Sequence, residues 1–131
     1  MSYYDWVGVE FSELLGKTIT SIEGMSVDGN DVITFIMDDG TEYRMLHHQD
    51  CCESVYIESV VGDVEDLIGE PILVAEEVSN SGMEDPEDQW SDSVTYTFYK
   101  IATRKGYVDL RWVGSSNGYY SESVDFERKK K

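Results

Sequence analysis

The segment Leu46–Ser54, LHHQDCCES, places His47, His48, Gln49, Asp50, Cys51, Cys52 and Glu53 in seven consecutive positions. Imidazole and thiolate are the usual ligands of Zn²⁺, which takes four of them in a closed structural site. A strand ending in a tight loop can aim His47, Asp50, Cys51 and Cys52 at one point. The familiar pattern of two separated ligand pairs is missing, and two neighbouring thiols on one ion are strained. Ordinary bridge geometry does not suit adjacent cysteines either, so free or metal-bound thiols are expected. Ligand softness makes zinc the expected metal. A plainer reading stands beside it: a polar loop with one thiol in the core and a hydrogen-bonded histidine. A Cys–His nucleophile needs a depressed thiol pKa, and acidic surroundings work against a thiolate. No catalytic residue is therefore assigned. Asp63, Glu65 and Asp66 form a second cluster that suits a hard cation, or a capped and solvated helix start.

Charge is the strongest global signal. There are 27 acids against 10 Lys and Arg, a formal net charge of −17. The segregation is sharper than the total. From Met45 to Tyr99 there are 14 acids and no Lys or Arg. Such a surface repels phosphate, so direct nucleic-acid binding is not expected. It suits the basic groove of a protein that handles nucleic acid, although simple solubility is also served. Within the acid-rich stretch, Glu84, Asp85, Glu87, Asp88, Trp90 and Asp92 are the candidate partner-binding residues. Tyr119 joins them from the aromatic stretch RWVGSSNGYYSESV, where Trp112, Tyr119 and Tyr120 flank a Ser-Asn-Gly turn. Such aromatics form a binding hot spot or pack across a hairpin.

The elements that must position these residues are mostly strands. DVITFIMDDGTEYRMLH holds two β-rich runs around Asp39-Gly40, a hairpin signal. Parity sets Ile33, Phe35 and Met37 on one face of the first run, and Tyr43, Met45 and His47 on one face of the second. Glu42, Arg44 and His48 take the opposite face. SVYIESVVG and PILVAEEV read as strands, and SVTYTFYKIATRKGYVDLRWVG as a second hairpin turning near Arg104-Lys105-Gly106. FSELLGKT reads as a short helix with Ser12 as N-cap, and DVEDLIGEP as a helical turn capped by Asp63. SNSGMEDPEDQWSD reads as an acidic loop, and residues 126–131 as a frayed basic tail. The expectation is one acidic domain over residues 1–131. Its class is α+β, a predominantly antiparallel sheet of six to eight strands with one or two short helices. No apolar run is long enough to span a membrane and no signal peptide is evident, so a cytoplasmic protein is expected.

The segments HHQDCCESVYIESVVGDVEDLIGEPILVAEE and TYTFYKIATRKGYVDLRWVGSSNGYYSESV resemble a small family associated with bacteriophage genomes and treated as a domain of unknown function. They cover about half of the chain. The resemblance groups His47, Gln49, Asp50, Cys51, Cys52 and Glu53 in one constellation, with His47 rather than His48 as the fixed histidine. Asn117, Gly118, Tyr119, Tyr120, Ser121 and Glu122 form the other, and Trp112 matches an aromatic position. A small acidic phage protein with a zinc site is similar in turn to the anti-CRISPR inhibitors. The resemblance implies a phage or prophage protein in the host cytoplasm. It would bind a type II CRISPR effector nuclease through its acidic surface and block nucleic-acid loading. Another counter-defence or host-takeover binding protein, or a metal-dependent hydrolase, fits the same residues.

Overall fold

The computed structural model describes residues 5–27, 31–49, 52–83, 93–116 and 121–130. Among these residues nine strands form two antiparallel sheets. The five-stranded sheet has the order β1-β9-β4-β3-β2, from Trp6–Gly8 (β1), Ile19–Glu23 (β2), Val32–Met37 (β3), Glu42–Leu46 (β4) and Asp125–Lys129 (β9). The four-stranded sheet has the order β5-β8-β7-β6, from Ser54–Gly62 (β5), Val74–Met83 (β6), Ser93–Thr103 (β7) and Gly106–Ser116 (β8).

Alternation builds both sheets. Ile33, Phe35 and Met37 of β3, and Tyr43 and Met45 of β4, are all buried, as parity requires. The turn between these strands is closed by Asp39, whose Oδ1 accepts from the Thr41 N–H at 2.9 Å. The β7–β8 hairpin pairs Thr103 with Gly106, leaving Arg104-Lys105 as the two-residue turn. The inward rows of both sheets feed one hydrophobic cluster that includes Ile33, Phe35, Tyr99, Ile101, Leu110 and Trp112. Phe11 joins the sheets. Its ring lies 4.8 Å from Tyr99 of β7 and 5.1 Å from Phe126 of β9, and Phe126 stacks at 5.3 Å on Tyr43 of β4.

Several expectations need correction. The class is all-β rather than α+β: among the described residues the helical elements are two 3-10 turns, Phe11–Leu14 and Val64–Leu67. Each is one turn long because Phe11 and Leu14, or Leu67, must drop straight into the core. Ser12 is not the cap, since Glu10 holds that position without a side-chain bond. Asp63 does cap the second turn, accepting from the Glu65 N–H at 3.0 Å. β6 runs on to Met83, into what reads as loop, because β7 is long enough to pair with it. Most of the expected basic tail is strand. Phe126–Lys129 belong to β9, which lies between β1 and β4. Its charges are matched: Arg128 meets Glu13 at 2.7 Å, Lys129 meets Glu42 at 3.2 Å, and Glu127 meets Arg44 at 2.6 Å.

Gly62 closes β5 with φ +117, and a Cβ there would lie 2.3 Å from the Tyr107 carbonyl oxygen. Glycine is therefore required both by conformation and by the close approach of β8. Among the described residues no helix is long and apolar enough to cross a membrane.

Candidate functional site

β4 delivers His47 to the end of the core row that begins with Tyr43 and Met45. The His47 side chain is 5% exposed and that of Glu53 is 0% exposed. Parity thus separates the two histidines correctly, because the His48 side chain is 49% exposed and turns to Glu127 at 2.8 Å. His47 Nε2 lies 2.7 Å from Glu53 Oε2, and its Nδ1 lies 2.6 Å from the Ser123 carbonyl oxygen. A carbonyl only accepts, so Nδ1 carries a proton. Nε2 and the Glu53 carboxyl are joined by the other hydrogen bond of the ring. Gln49 closes the loop by donating from Nε2 to the Glu53 carbonyl at 2.7 Å.

The second acid is Glu122, 8% exposed. Thr95 Oγ1 of β7 donates to its Oε1 at 2.6 Å, and Ser116 Oγ of β8 donates to Oε2. Gly114 makes the room, since a Cβ there would stand 2.8 Å from Glu122 Cβ and 2.9 Å from its carbonyl oxygen. The two motif-bearing segments therefore converge. His47 holds the Ser123 backbone next to Glu122, while β5 begins alongside β8 through Ser54–Ser115 pairing.

This arrangement changes the reading of the cysteine segment. Cys52 is disulfide-bonded rather than a free or metal-bound thiol, and the chain holds one other cysteine, Cys51. Both ring nitrogens of His47 are engaged in hydrogen bonds. A disulfide sulfur of Cys52 is not a thiolate ligand, and a metal at His47 would compete with the bonds of that ring to Glu53 and Ser123. No group of three or more His, Cys, Asp and Glu that could hold a metal occurs among the described residues. Asp50 and Cys51 of the expected ligand set lie outside the described residues, as do Glu84, Asp85, Glu87, Asp88, Trp90 and Asp92 of the acidic segment and Tyr119 of the aromatic stretch. Trp112 is 1% exposed and packs in the core, so it is not part of a surface platform.

Glu53, one of the 14 acids between Met45 and Tyr99, is buried rather than part of the acidic surface. The signal was present. Glu53 shares the parity of Val55 and Ile57, which face inward on β5, and Glu122 shares that of Val124 and Phe126 leading into β9. The rule that sorts His47 from His48 finds both buried acids when applied to these segments.

Two ionic groups flank the five-stranded sheet: one around Glu127 on its outward face, and one around Glu13 of the Phe11–Leu14 turn, which meets Tyr43 and Arg128 at the edge of the core. Burial pushes the Glu127 carboxyl up, but hydrogen bonds from His48 and Arg44 outweigh it and hold the group below the ordinary carboxylate range. Glu13 behaves alike: burial raises it, and hydrogen bonds from Tyr43 and Arg128 bring it down. Arg44 also lies 4.2 Å over the Trp6 ring.

A family model described as "Domain of unknown function (DUF7448)" matches residues 12–126. No curated protein matches the chain, and no solved structure matches it.

Proposed function

The chain belongs to the DUF7448 family, a domain of unknown function, and we propose that it works by binding a basic protein surface rather than by catalysis. The observation that carries this reading is how the chain uses its acids and its histidine. His47, Glu53 and Glu122, the groups best buried for acid–base work, are spent on fixing loops. The 14 acids between Met45 and Tyr99 have no cation among them in sequence, and most of those described are at least partly exposed. Such a field favours fast encounter with a positive groove. The partner proposed is a type II CRISPR effector nuclease in the cytoplasm of a phage-infected host, with the inhibitor blocking nucleic-acid loading. Glu84, Asp85, Glu87, Asp88 and Asp92 supply charge in this reading, and Trp90 and Tyr119 the short-range anchors. Another basic host or defence protein serves the same acidic surface. A zinc site at His47, Asp50, Cys51 and Cys52 belongs to the reduced protein only, and hydrolysis by a metal there is the less supported alternative.

The test replaces Glu84, Asp85, Glu87, Asp88 and Asp92 together by Lys, then measures nuclease binding and target-DNA loading. Loss of inhibition in a variant that keeps the wild-type melting temperature supports the reading. Full inhibition by that variant removes this segment as the interface. A wild-type chain that neither binds the nuclease nor alters its DNA loading removes the nuclease as partner.

A further inference from the structure

The outward faces of the two sheets differ in kind. On the five-stranded sheet the outward positions of β4 and β9 carry Glu42, Arg44, Glu127 and Lys129, tied by ion pairs. An antiparallel sheet facing water is expected to look like this. The four-stranded sheet does not. Of the nine exposed large hydrophobic residues described, Tyr56, Val61, Val78, Phe98 and Tyr107 all point outward from it. Phe98 stands between two concavities of about 410 and 400 Å³. Clustering of this sort marks an interaction face.

The charges on this face are also unlike the rest of the molecule. The chain has 27 acids to 10 bases. The face has Lys100 and Arg111 against Glu58, Glu76 and Asp109, so it is nearly balanced, and Arg111 is held by Glu58. A surface aimed at a basic partner would be acidic here. A surface aimed at a second copy of a strongly acidic chain must be the least acidic one available.

The register supplies the complementarity. Across β7 and β8, Lys100 pairs with Asp109, Phe98 with Arg111, Tyr96 with Val113 and Ala102 with Tyr107. We propose that this face forms a homodimer about a two-fold axis running parallel to the strands, between β7 and β8. That operation lays β7 of one copy over β8 of the other while keeping each row in place. Lys100 then meets the partner's Asp109, twice by symmetry. Phe98 meets the partner's Arg111, an apolar and cation–π contact. The strands stay aligned, as in face-to-face packing of sheets. Four strands about 4.8 Å apart and four outward rows about 6.8 Å apart give a footprint of roughly 500 Å² per copy. A standard interface takes about 800 Å² per partner, so the dimer is reversible.

The two copies repel at long range, so salt strengthens this association, the opposite of binding to a basic partner. Sedimentation of the full chain at about 50 mM and about 500 mM NaCl should show a monomer–dimer equilibrium that shifts towards dimer at the higher salt. Lys100→Glu and Asp109→Lys should each weaken self-association about tenfold, because each creates two like-charge contacts. Mixed together, the two variants should associate with each other, since the Glu at position 100 of one chain then faces the Lys at position 109 of its partner. Phe98→Ser should abolish the dimer. Zero-length carbodiimide cross-linking of mixed ¹⁵N-labelled and unlabelled wild type needs no variant and should yield mixed-isotope Lys100–Asp109 peptides. A chain that stays monomeric at both salts overturns the proposal. So does a dimer that survives Phe98→Ser, or one that gives no mixed-isotope cross-link.

Discussion

His47 and Ser123 are 76 residues apart in sequence and 2.6 Å apart in space, joined from the imidazole Nδ1 to the backbone carbonyl. Through this bond the end of β4 positions the approach to β9, and through Glu53 the same ring positions the start of β5. One side chain thus ties together strands of both sheets. Its role follows from hydrogen bonding through both ring nitrogens, which no apolar replacement can do.

Removing the ring should therefore be costly. In His47→Ala the buried Glu53 carboxyl loses its bond to the ring, and breaking a buried pair costs roughly 3–5 kcal/mol. His48→Ala touches a half-exposed pair and should cost about 1 kcal/mol or less. Urea titrations of the two variants measure the difference. Equal losses would show that the buried pair contributes nothing special.

Gly62→Ala should destabilise the chain by about 2 kcal/mol or more. A positive φ costs an L-residue roughly 1–2 kcal/mol, and the new methyl also meets the Tyr107 carbonyl at 2.3 Å. Gly8→Ala, where nothing lies within 4 Å of the new methyl, is the control. Matching midpoints for the two variants would refute the account of the β5–β8 approach.

Much of this could be read from the sequence. The Asp39-Gly40 and Arg104–Gly106 turns, the inward rows of β3 and β4 and the split between His47 and His48 all follow from period-two alternation beside a turn signal. β9 is only partly legible: SSNGYYSESVDF reads as a turn and a candidate last strand, while the ERK that continues it reads as tail because it is all charge. Glu127, Arg128 and Lys129 sit in a sheet only because Arg44, Glu13 and Glu42 meet them across distant strands. The helical readings of FSELLGKT and DVEDLIGEP found the right places but the wrong length, since short apolar runs do not distinguish one 3-10 turn from two α-turns. Pairing of β6 as far as Met83 depends on β7, and no local pattern in SNSGM announces it.

Acid should loosen the five-stranded sheet first. The carboxyls of Glu13 and Glu127 are held below the ordinary range in the folded state. Below about pH 4.3 the unfolded chain then binds more protons than the folded one. The stability they confer is complete above that pH and is lost as pH falls through their lowered folded-state values. The melting temperature of wild type should drop over this window. Glu127→Gln should start lower at neutral pH and fall less steeply. Parallel pH profiles for the two proteins would show that the bonds from His48 and Arg44 do not stabilise the carboxylate.

The state of Cys52 gives the last test, and it separates the oxidised loop from a metal site. Prepared without reductant, the intact chain should have a mass lower by two hydrogen atoms than after reduction, because Cys52 is disulfide-bonded and one other cysteine exists. The oxidised protein should bind no stoichiometric Zn²⁺, since a disulfide sulfur is not a thiolate ligand and His47 is held by Glu53 and Ser123. Reduction frees the thiols, and zinc must then compete with those two hydrogen bonds for the imidazole. If the reduced protein takes up one equivalent, His47→Ala should lose it and His48→Ala should keep it. Metal binding should also raise the melting temperature of the reduced protein by mass action. Stoichiometric zinc in the fully oxidised chain would contradict the disulfide. A reduced chain that never takes up metal would leave His47 with the structural role described above and remove zinc from the proposed function.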